Sequence, residues 1–120
     1  MTKFYTSYFA NYRKFPEGAK LYSIARYTPS SKQPIEQLIE FAPSEQLLMA
    51  YKDGLIDRAT LKEEYIRGLN NLHNLSSIIS SLLQEQEVIF LCYEKKGDFC
   101  HRQILAWYLH KYFSIDVEEL

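Results

Sequence analysis

The run of residues 87–93 (EVIFLCY) constrains the fold of this chain more than any other feature of its sequence. From Val88 onward the run carries no charge and is rich in residues that favour strands. A strand with apolar side chains on both faces has to be covered on both sides, which is typical of a parallel sheet flanked by helices. We therefore expect residues 87–93 to form a fully buried strand.

Three other segments have the character of strands. Residues 3–9 alternate aromatic and small polar side chains with a period of two, and residues 20–25 form a second apolar segment. Residues 115–117 are predicted to form a short last strand. Together with the buried run, they give about four short strands.

Helices are predicted over residues 34–41, 45–52, from residue 60 onward, 75–83 and 99–112. Proline at the start of the first segment suits the first turn of a helix. Ser44 and Asp98 are predicted N-caps, and Thr60 and Glu63 form a capping box before an apolar stripe. Residues 11–18, 27–34 and 94–97 are predicted to be loops because they contain breakers or lack periodicity.

Strands separated by helices imply an α/β fold. We expect three layers, with an open, mostly parallel sheet of about four short strands flanked by helices. At 120 residues the chain is predicted to form a single domain over residues 1–120.

The composition excludes several classes of protein. A hydrophobic share of 47% and a charged share of 24% are those of a globular chain and exclude disorder of the whole. The apolar stretch 75–83 is broken by serines and is too short to span a membrane. Because no secretory leader is visible, the two cysteines predict a cytoplasmic protein with free thiols.

The net charge of −1 conceals an asymmetry along the chain. Residues 1–33 carry six basic side chains and one acidic side chain, which gives +5, while residues 34–73 and 74–120 each carry −3. The near-neutral whole disfavours binding to long duplex nucleic acid. The basic third suits a small anion, and a solvated basic edge is an equally good interpretation.

Ligands of open α/β sheets bind at the carboxyl ends of the strands. The first predicted strand ends near Ser7 and Tyr8, the second at Arg26, and the third at Tyr93 and Glu94. If the strands are parallel, these ends lie at one edge, where we expect Ser7, Tyr8, Arg26 and Tyr93 to bind a ligand.

The last long helix adds Cys100, His101 and Arg102 to this edge. Near a helix N-terminus a thiol gains thiolate character, so Cys100 is a candidate nucleophile, with a packed thiol or a member of an anion cradle as alternatives. His101 and Glu94 are candidate acid–base groups, and Arg102 is a candidate anion ligand. Adjacent helical residues point about 100° apart, which weakens a Cys100–His101 dyad.

Other interpretations of these residues stay open. Cys92 is expected to be a buried apolar filler, and Arg26 to pair with Glu94 or to frame a ligand. No metal is expected, because the spacing of cysteine and histidine does not match a zinc site. No cofactor is expected either, since no Gly-rich phosphate loop is present.

Residues 88–107 (VIFLCYEKKGDFCHRQILAW) resemble the signature of a bacterial and phage family known as domain of unknown function 488. The shared features are Cys92, Glu94, Cys100, His101 and Arg102, and residues 4–9 and 23–26 are also similar. The resemblance covers nearly the full length. It implies an α/β domain with its Cys-His-Arg segment at the site and the helices of residues 44–83 as an insertion. It implies no particular reaction.

Three functions fit these observations. The first is an enzyme acting on a phosphorylated or nucleotide-like small molecule, and the second is a module that binds such a nucleotide without turnover. The third, less favoured, is an accessory protein that binds single-stranded nucleic acid through the basic segment and exposed tyrosines. The sequence does not decide between enzyme and binding module, and it does not predict the oligomeric state.

Overall fold

The computed structural model describes residues 1–95 and 99–120. Five strands are present: β1 (Lys3–Tyr8), β2 (Lys20–Ser23), β3 (Ile35–Gln37), β4 (Glu87–Cys92) and β5 (Val117–Glu119). The four α-helices are α1 (Glu45–Lys52), α2 (Arg58–Asn70), α3 (Leu75–Leu82) and α4 (His101–Phe113). Two 3-10 helices cover Phe9–Lys14 and Ile39–Phe41.

The five strands form one sheet in the order β3-β2-β4-β1-β5, and every neighbouring pair is parallel. β4 is the central strand, in register with β1 (Tyr8 opposite Cys92) and with β2 (Ser23 opposite Leu91). Residues 88–92 of β4 are fully buried. The open parallel α/β fold predicted from the sequence is therefore confirmed, with five strands in place of about four. The buried strand predicted over residues 87–93 is confirmed up to Cys92, whereas Tyr93 lies beyond β4 and is exposed.

Each face of the sheet carries its own apolar cluster. The larger cluster joins Phe4, Tyr22, Val88 and Phe90 to side chains of all four α-helices. The smaller cluster joins Leu21, Ile89 and Leu91 to partly buried side chains that include Phe9, Phe15 and Ala19. Alternation along the strands thus sends successive residues into two different layers. The second layer is thin, because the segment around the first 3-10 helix supplies much of it.

Five local predictions are wrong. Residues 34–41 form strand β3 and a 3-10 helix and not one helix, because pairing with β2 decides their conformation. Residues 11–14 of the predicted first loop, together with residues 9 and 10, form a 3-10 helix. α2 begins at Arg58 with Asp57 as its N-cap, three residues before the predicted Thr60, and the Asp57 side chain accepts a hydrogen bond from the Thr60 backbone N–H.

α4 also begins later than predicted, at His101, with Cys100 as its N-cap. The predicted cap, Asp98, lies outside the described residues. Cys100 has extended backbone dihedrals (φ −148°, ψ 156°), so it precedes the helix and does not lie within its first turn.

The last strand is shifted to Val117–Glu119. Among the described residues, no helix is long and apolar enough to cross a membrane.

Candidate active site at the carboxyl edge of the sheet

Two adjoining cavities lie where the carboxyl edge of the sheet meets α1. The larger has a volume of about 270 Å³ and the smaller about 190 Å³. Both are lined by Pro43, Leu48, Lys52, Glu94 and His101, so we treat them as one carboxyl-edge cleft. The larger cavity alone is close to the lower limit of about 300 Å³ that is usual for small-molecule sites.

Arg26 and Glu94 both line the larger cavity, as expected for residues that follow adjacent parallel strands. The guanidinium of Arg26 donates a hydrogen bond to the backbone carbonyl of Pro43 at 3.4 Å. Within the described ranges, Arg26 and Glu94 are not within ion-pair distance of each other. Arg26 and Glu94 therefore line the cleft without forming an ion pair with each other. Lys52 adds a second cation to the lining.

His101 is buried beside the cleft and is held by the chain that follows β2. Its Nε2 lies 2.6 Å from the backbone carbonyl oxygen of Ile24. Burial lowers the pKa of His101 to about 4, against smaller opposing effects of the Ile24 carbonyl and the Glu94 charge. The ring is therefore neutral at pH 7. Because a carbonyl oxygen only accepts hydrogen bonds, Nε2 carries the proton and Nδ1 is an acceptor.

Cys100 and His101 are in contact even though they are adjacent in sequence. The Sγ of Cys100 lies 3.5 Å from the Nδ1 of His101. The weakness predicted for this dyad assumed that both residues were helical. Cys100 is instead the extended N-cap, and this conformation turns its side chain back over the first helical turn.

The sulfur atoms of Cys92 and Cys100 are joined as a disulfide. The prediction of two free thiols is therefore wrong for this structure, in which neither of these cysteines is free. β4 ends and α4 begins at the same edge of the sheet, so the last residue of the strand meets the N-cap of the helix. Cys92 lines the larger cavity and Cys100 the smaller, which places the cysteine pair at the floor of the cleft.

Arg102 is fully buried beneath the first turn of α4. Its Nε and Nη2 donate to both carboxylate oxygens of Glu119 at 3.0–3.2 Å. Nη1 donates to the Sγ of Cys92 at 2.8 Å and to the carbonyl of Glu94 at 2.7 Å, and Nη2 also reaches the carbonyl of Lys95 at 3.1 Å. The guanidinium thus lies behind the cysteine pair, joining β5 to the chain that leaves β4.

The three remaining predicted ligand residues lie in different places. Tyr93 is exposed, lines the larger cavity and packs edge-on against Phe9 with ring centroids 4.8 Å apart. Ser7 is buried on the opposite face of the sheet from Thr6 and accepts a hydrogen bond from the Asn11 amide at 3.0 Å. Ser7, Tyr8 and Arg102 are not part of the lining of the two cavities among the described residues.

One ligand atom each from Cys92, Glu94 and Cys100 lies within 4.8 Å of the others, close enough to share a metal ion. A sulfur engaged in a disulfide has no thiolate charge to offer a metal. We therefore do not assign a metal site to this set.

Several residues of the site carry no signal in the sequence. Leu48 and Lys52 come from α1, and Pro43 comes from the residues just before that helix. The position of α1 over the edge of the sheet is a tertiary contact. Tyr65 was predicted only as part of an apolar stripe. It donates a 2.6 Å hydrogen bond to the carbonyl of Phe41 and packs edge-on against His101, with ring centroids 5.6 Å apart.

A protein-family model described as the active DUF488-N3 subclade matches residues 9–112. This match includes the cleft, the cysteine pair and the Cys-His-Arg segment. It leaves out the whole of β1, the last residue of α4 and the chain that follows, which contains β5. No curated protein and no solved structure matches the chain.

Proposed function

The chain belongs to the family of domain of unknown function 488, and for this member we propose a small thiol-dependent enzyme that binds a phosphorylated or nucleotide-like small molecule in the carboxyl-edge cleft. The observation that carries the proposal is the composition of the cleft itself. Two cations, Arg26 and Lys52, face a space that also contains Glu94 and has the cysteine pair at its floor.

Arg26 and Lys52 bind the anionic group of the ligand in this proposal, since guanidinium and ammonium groups are the usual phosphate partners in proteins. The backbone N–H groups at the start of α4 add a partial positive charge at the same edge. Tyr93 offers a ring and a hydroxyl at the rim. The volume of the cleft favours a sugar phosphate or a mononucleotide over a longer ligand.

The chemistry comes from the cysteine pair, Glu94 and His101. In the reduced protein a cysteine thiolate attacks the phosphorus atom of the ligand, so that a bond from sulfur to phosphorus forms as the bond to the leaving oxygen breaks. The half-buried Glu94, as the protonated acid, gives a proton to the leaving oxygen, and its carboxylate then takes a proton from the water that breaks the bond from sulfur to phosphorus. His101 accepts the Cys100 thiol proton in a hydrogen bond through Nδ1, and its low pKa keeps it neutral. A reducing cytoplasm keeps the thiols available, so the proposal includes a cytoplasmic location.

Binding is tested first, by thermal shift with inorganic phosphate, sugar phosphates, mononucleotides and short oligonucleotides. A ligand at 100 times its Kd stabilises the folded state by about 2.7 kcal/mol, which raises the Tm by several degrees. We expect a shift with a phosphorylated small molecule, its loss in Arg26→Ala, and its retention in Arg13→Ala. Arg13 is the matched control because it carries the same charge in the same basic segment and lies outside the cleft.

Turnover is tested next, with Cys92→Ser and Cys100→Ser under reducing conditions. We expect at least one of these variants to bind the ligand as the wild type does and to lose turnover. No shift with any phosphorylated ligand contradicts the proposal. A salt-sensitive shift with oligonucleotides alone favours the nucleic-acid accessory role instead.

One observation favours a second function, binding without turnover. The two sulfur atoms are joined in this structure, and a disulfide removes the nucleophile. A reduced protein that binds the ligand and turns nothing over, with unchanged affinity in both serine variants, is the result that this alternative predicts.

A further inference from the structure

The cysteine pair has two different sets of neighbours, which assign different roles to its sulfur atoms. The Sγ of Cys92 accepts a hydrogen bond from the Arg102 guanidinium at 2.8 Å. The Sγ of Cys100 faces Nδ1 of His101 at 3.5 Å. We propose that Cys92 and Cys100 form a reversible dithiol–disulfide couple, in which Cys92 is the reactive thiolate and Cys100 is the thiol that resolves it.

The guanidinium stabilises negative charge on Cys92. Arg102 is always protonated, is fully buried, and directs an N–H group at the sulfur. A charge-assisted hydrogen bond is about twice as strong as a neutral one, and it gains further strength away from water. Glu119 neutralises part of the Arg102 charge, but it binds through Nε and Nη2 and leaves Nη1 for Cys92.

The surroundings of Cys100 favour the protonated thiol. Nε2 of His101 carries the ring proton because its partner is the Ile24 carbonyl. Nδ1 therefore presents a lone pair to Cys100, and a lone pair attracts an S–H group and repels a thiolate. The helix N-terminus acts in the opposite direction, because the backbone N–H of Gln103 donates to the Cys100 sulfur in the capping box. This donor is neutral, and the partial positive charge of the helix end amounts to about half an elementary charge spread over several N–H groups. The full charge at Cys92 outweighs it.

The oxidation has a balanced course with a small disulfide such as oxidised glutathione. The Cys92 thiolate attacks one reagent sulfur, the bond between the two reagent sulfurs breaks, and one glutathione leaves as a thiolate. Cys100 loses its proton to solvent and attacks the Cys92 sulfur, which forms the Cys92–Cys100 bond and releases the second glutathione. The protein dithiol is oxidised and the reagent disulfide is reduced to two thiols.

This inference goes beyond the proposed function, because the couple needs no ligand in the cleft. Both sulfurs are buried at the cleft floor, so a disulfide reagent has to present one of its sulfur atoms through the cleft. The disulfide consumes both thiols, which makes oxidation an off-switch for any thiol chemistry in the cleft.

The first test titrates the ultraviolet absorption of the thiolate in two reduced single variants, each with one cysteine left. We expect Cys100→Ser, which retains Cys92, to form its thiolate at clearly lower pH than Cys92→Ser. An ordinary thiol titrates at about pH 8.5. Absorption does not depend on reagent access, so burial cannot mimic the result. Thiolate formation at lower pH in Cys92→Ser overturns the assignment.

The second test substitutes Arg102 in the Cys100→Ser variant, where Cys92 is the remaining cysteine. Arg102→Met is expected to move the Cys92 titration up by about one pH unit or more, as expected when a charged hydrogen bond is lost. Because this variant also removes the partner of Glu119, Arg102→Lys is measured beside it and keeps a cation in place. An unchanged titration in a folded Arg102→Met variant contradicts the role given to Arg102.

Reversibility is tested on the wild-type protein without ligand, by equilibration with a series of reduced and oxidised glutathione mixtures. Mass spectrometry of peptides containing each cysteine is expected to show a gradual conversion between dithiol and Cys92–Cys100 disulfide. A pair that stays in one state across the series overturns the couple. Because no cleft ligand is present, failure of this test and failure of the proposed function are distinguishable.

Discussion

Three residues around the cysteine pair act through their partners. Arg102 unites Glu119, Cys92 and the chain after β4, His101 joins α4 to the end of β2, and Tyr65 packs on the His101 ring. In these contacts buried polar groups form hydrogen bonds with each other. A substitution that removes one partner leaves the other buried without a hydrogen bond, and this lowers the free energy of unfolding more than the loss of a surface contact does.

The neutral state of His101 predicts a pH dependence of stability. Its folded pKa of about 4 lies below the value of about 6.5 expected in the unfolded chain, so between these values the unfolded chain binds a proton that the folded chain does not. The free energy of unfolding is therefore greatest above about pH 6.5 and falls as the pH drops through 4, by about 3 kcal/mol in all.

Urea unfolding at about pH 7.5 and about pH 4.5 measures this loss. His101→Gln keeps a donor for the Ile24 carbonyl and is expected to remove most of the histidine contribution. The exposed His73 is the control, and His73→Gln is expected to follow the wild type. A wild-type pH dependence in His101→Gln would show that His101 is not responsible.

At the scale of elements, a buried hydrogen bond from Tyr65 ties α2 to the second 3-10 helix. Tyr65→Phe removes the hydroxyl that donates to the Phe41 carbonyl, and burial leaves that carbonyl without water. We expect a loss of about 1–3 kcal/mol in the free energy of unfolding. Tyr112→Phe, at a tyrosine that is 53% exposed, is the matched control and is expected to change little. Equal effects of the two substitutions would contradict the assignment.

β5 is held to the rest of the sheet edge by Glu119, which binds Arg102 and accepts a 2.6 Å hydrogen bond from Thr6. Glu119→Gln leaves the buried guanidinium without its countercharge, and loss of one partner of a buried pair costs about 3 kcal/mol. Glu118→Gln, on the exposed side of the same strand, should cost far less. The comparison uses the urea midpoints of the two variants. Similar midpoints would contradict the role of Glu119 in holding β5 to the sheet.

The elements that could be predicted from the sequence are those with a long internal pattern. The apolar run of residues 87–93 predicted β4, because a strand with apolar side chains on both faces has to lie inside the sheet and be covered on both sides. Ser44 marked the start of α1 because its side chain caps the Leu47 N–H. β3 has three residues and no pattern of its own, so its pairing with β2 could not be foreseen.

At the scale of the whole molecule, the parallel sheet explains why part of the site could be predicted. Parallel strands bring Arg26, Tyr93 and Glu94 to one edge, and all three line the cleft. The rest depends on contacts between distant segments. The pairing of Cys92 with Cys100, the burial of Arg102 on Glu119 and the arrival of Lys52 from α1 follow from packing that no local spacing encodes.

The most direct test of the proposed site is to map where a phosphorylated ligand binds, by amide chemical-shift changes in the reduced, isotope-labelled protein. A ligand held in the carboxyl-edge cleft is expected to shift the amides of residues around Arg26, Glu94 and His101, and to leave those around Lys3 and Ile115 at the opposite edge unchanged. Shifts confined to the opposite edge, or no shifts with any phosphorylated ligand, would contradict the cleft as the functional site.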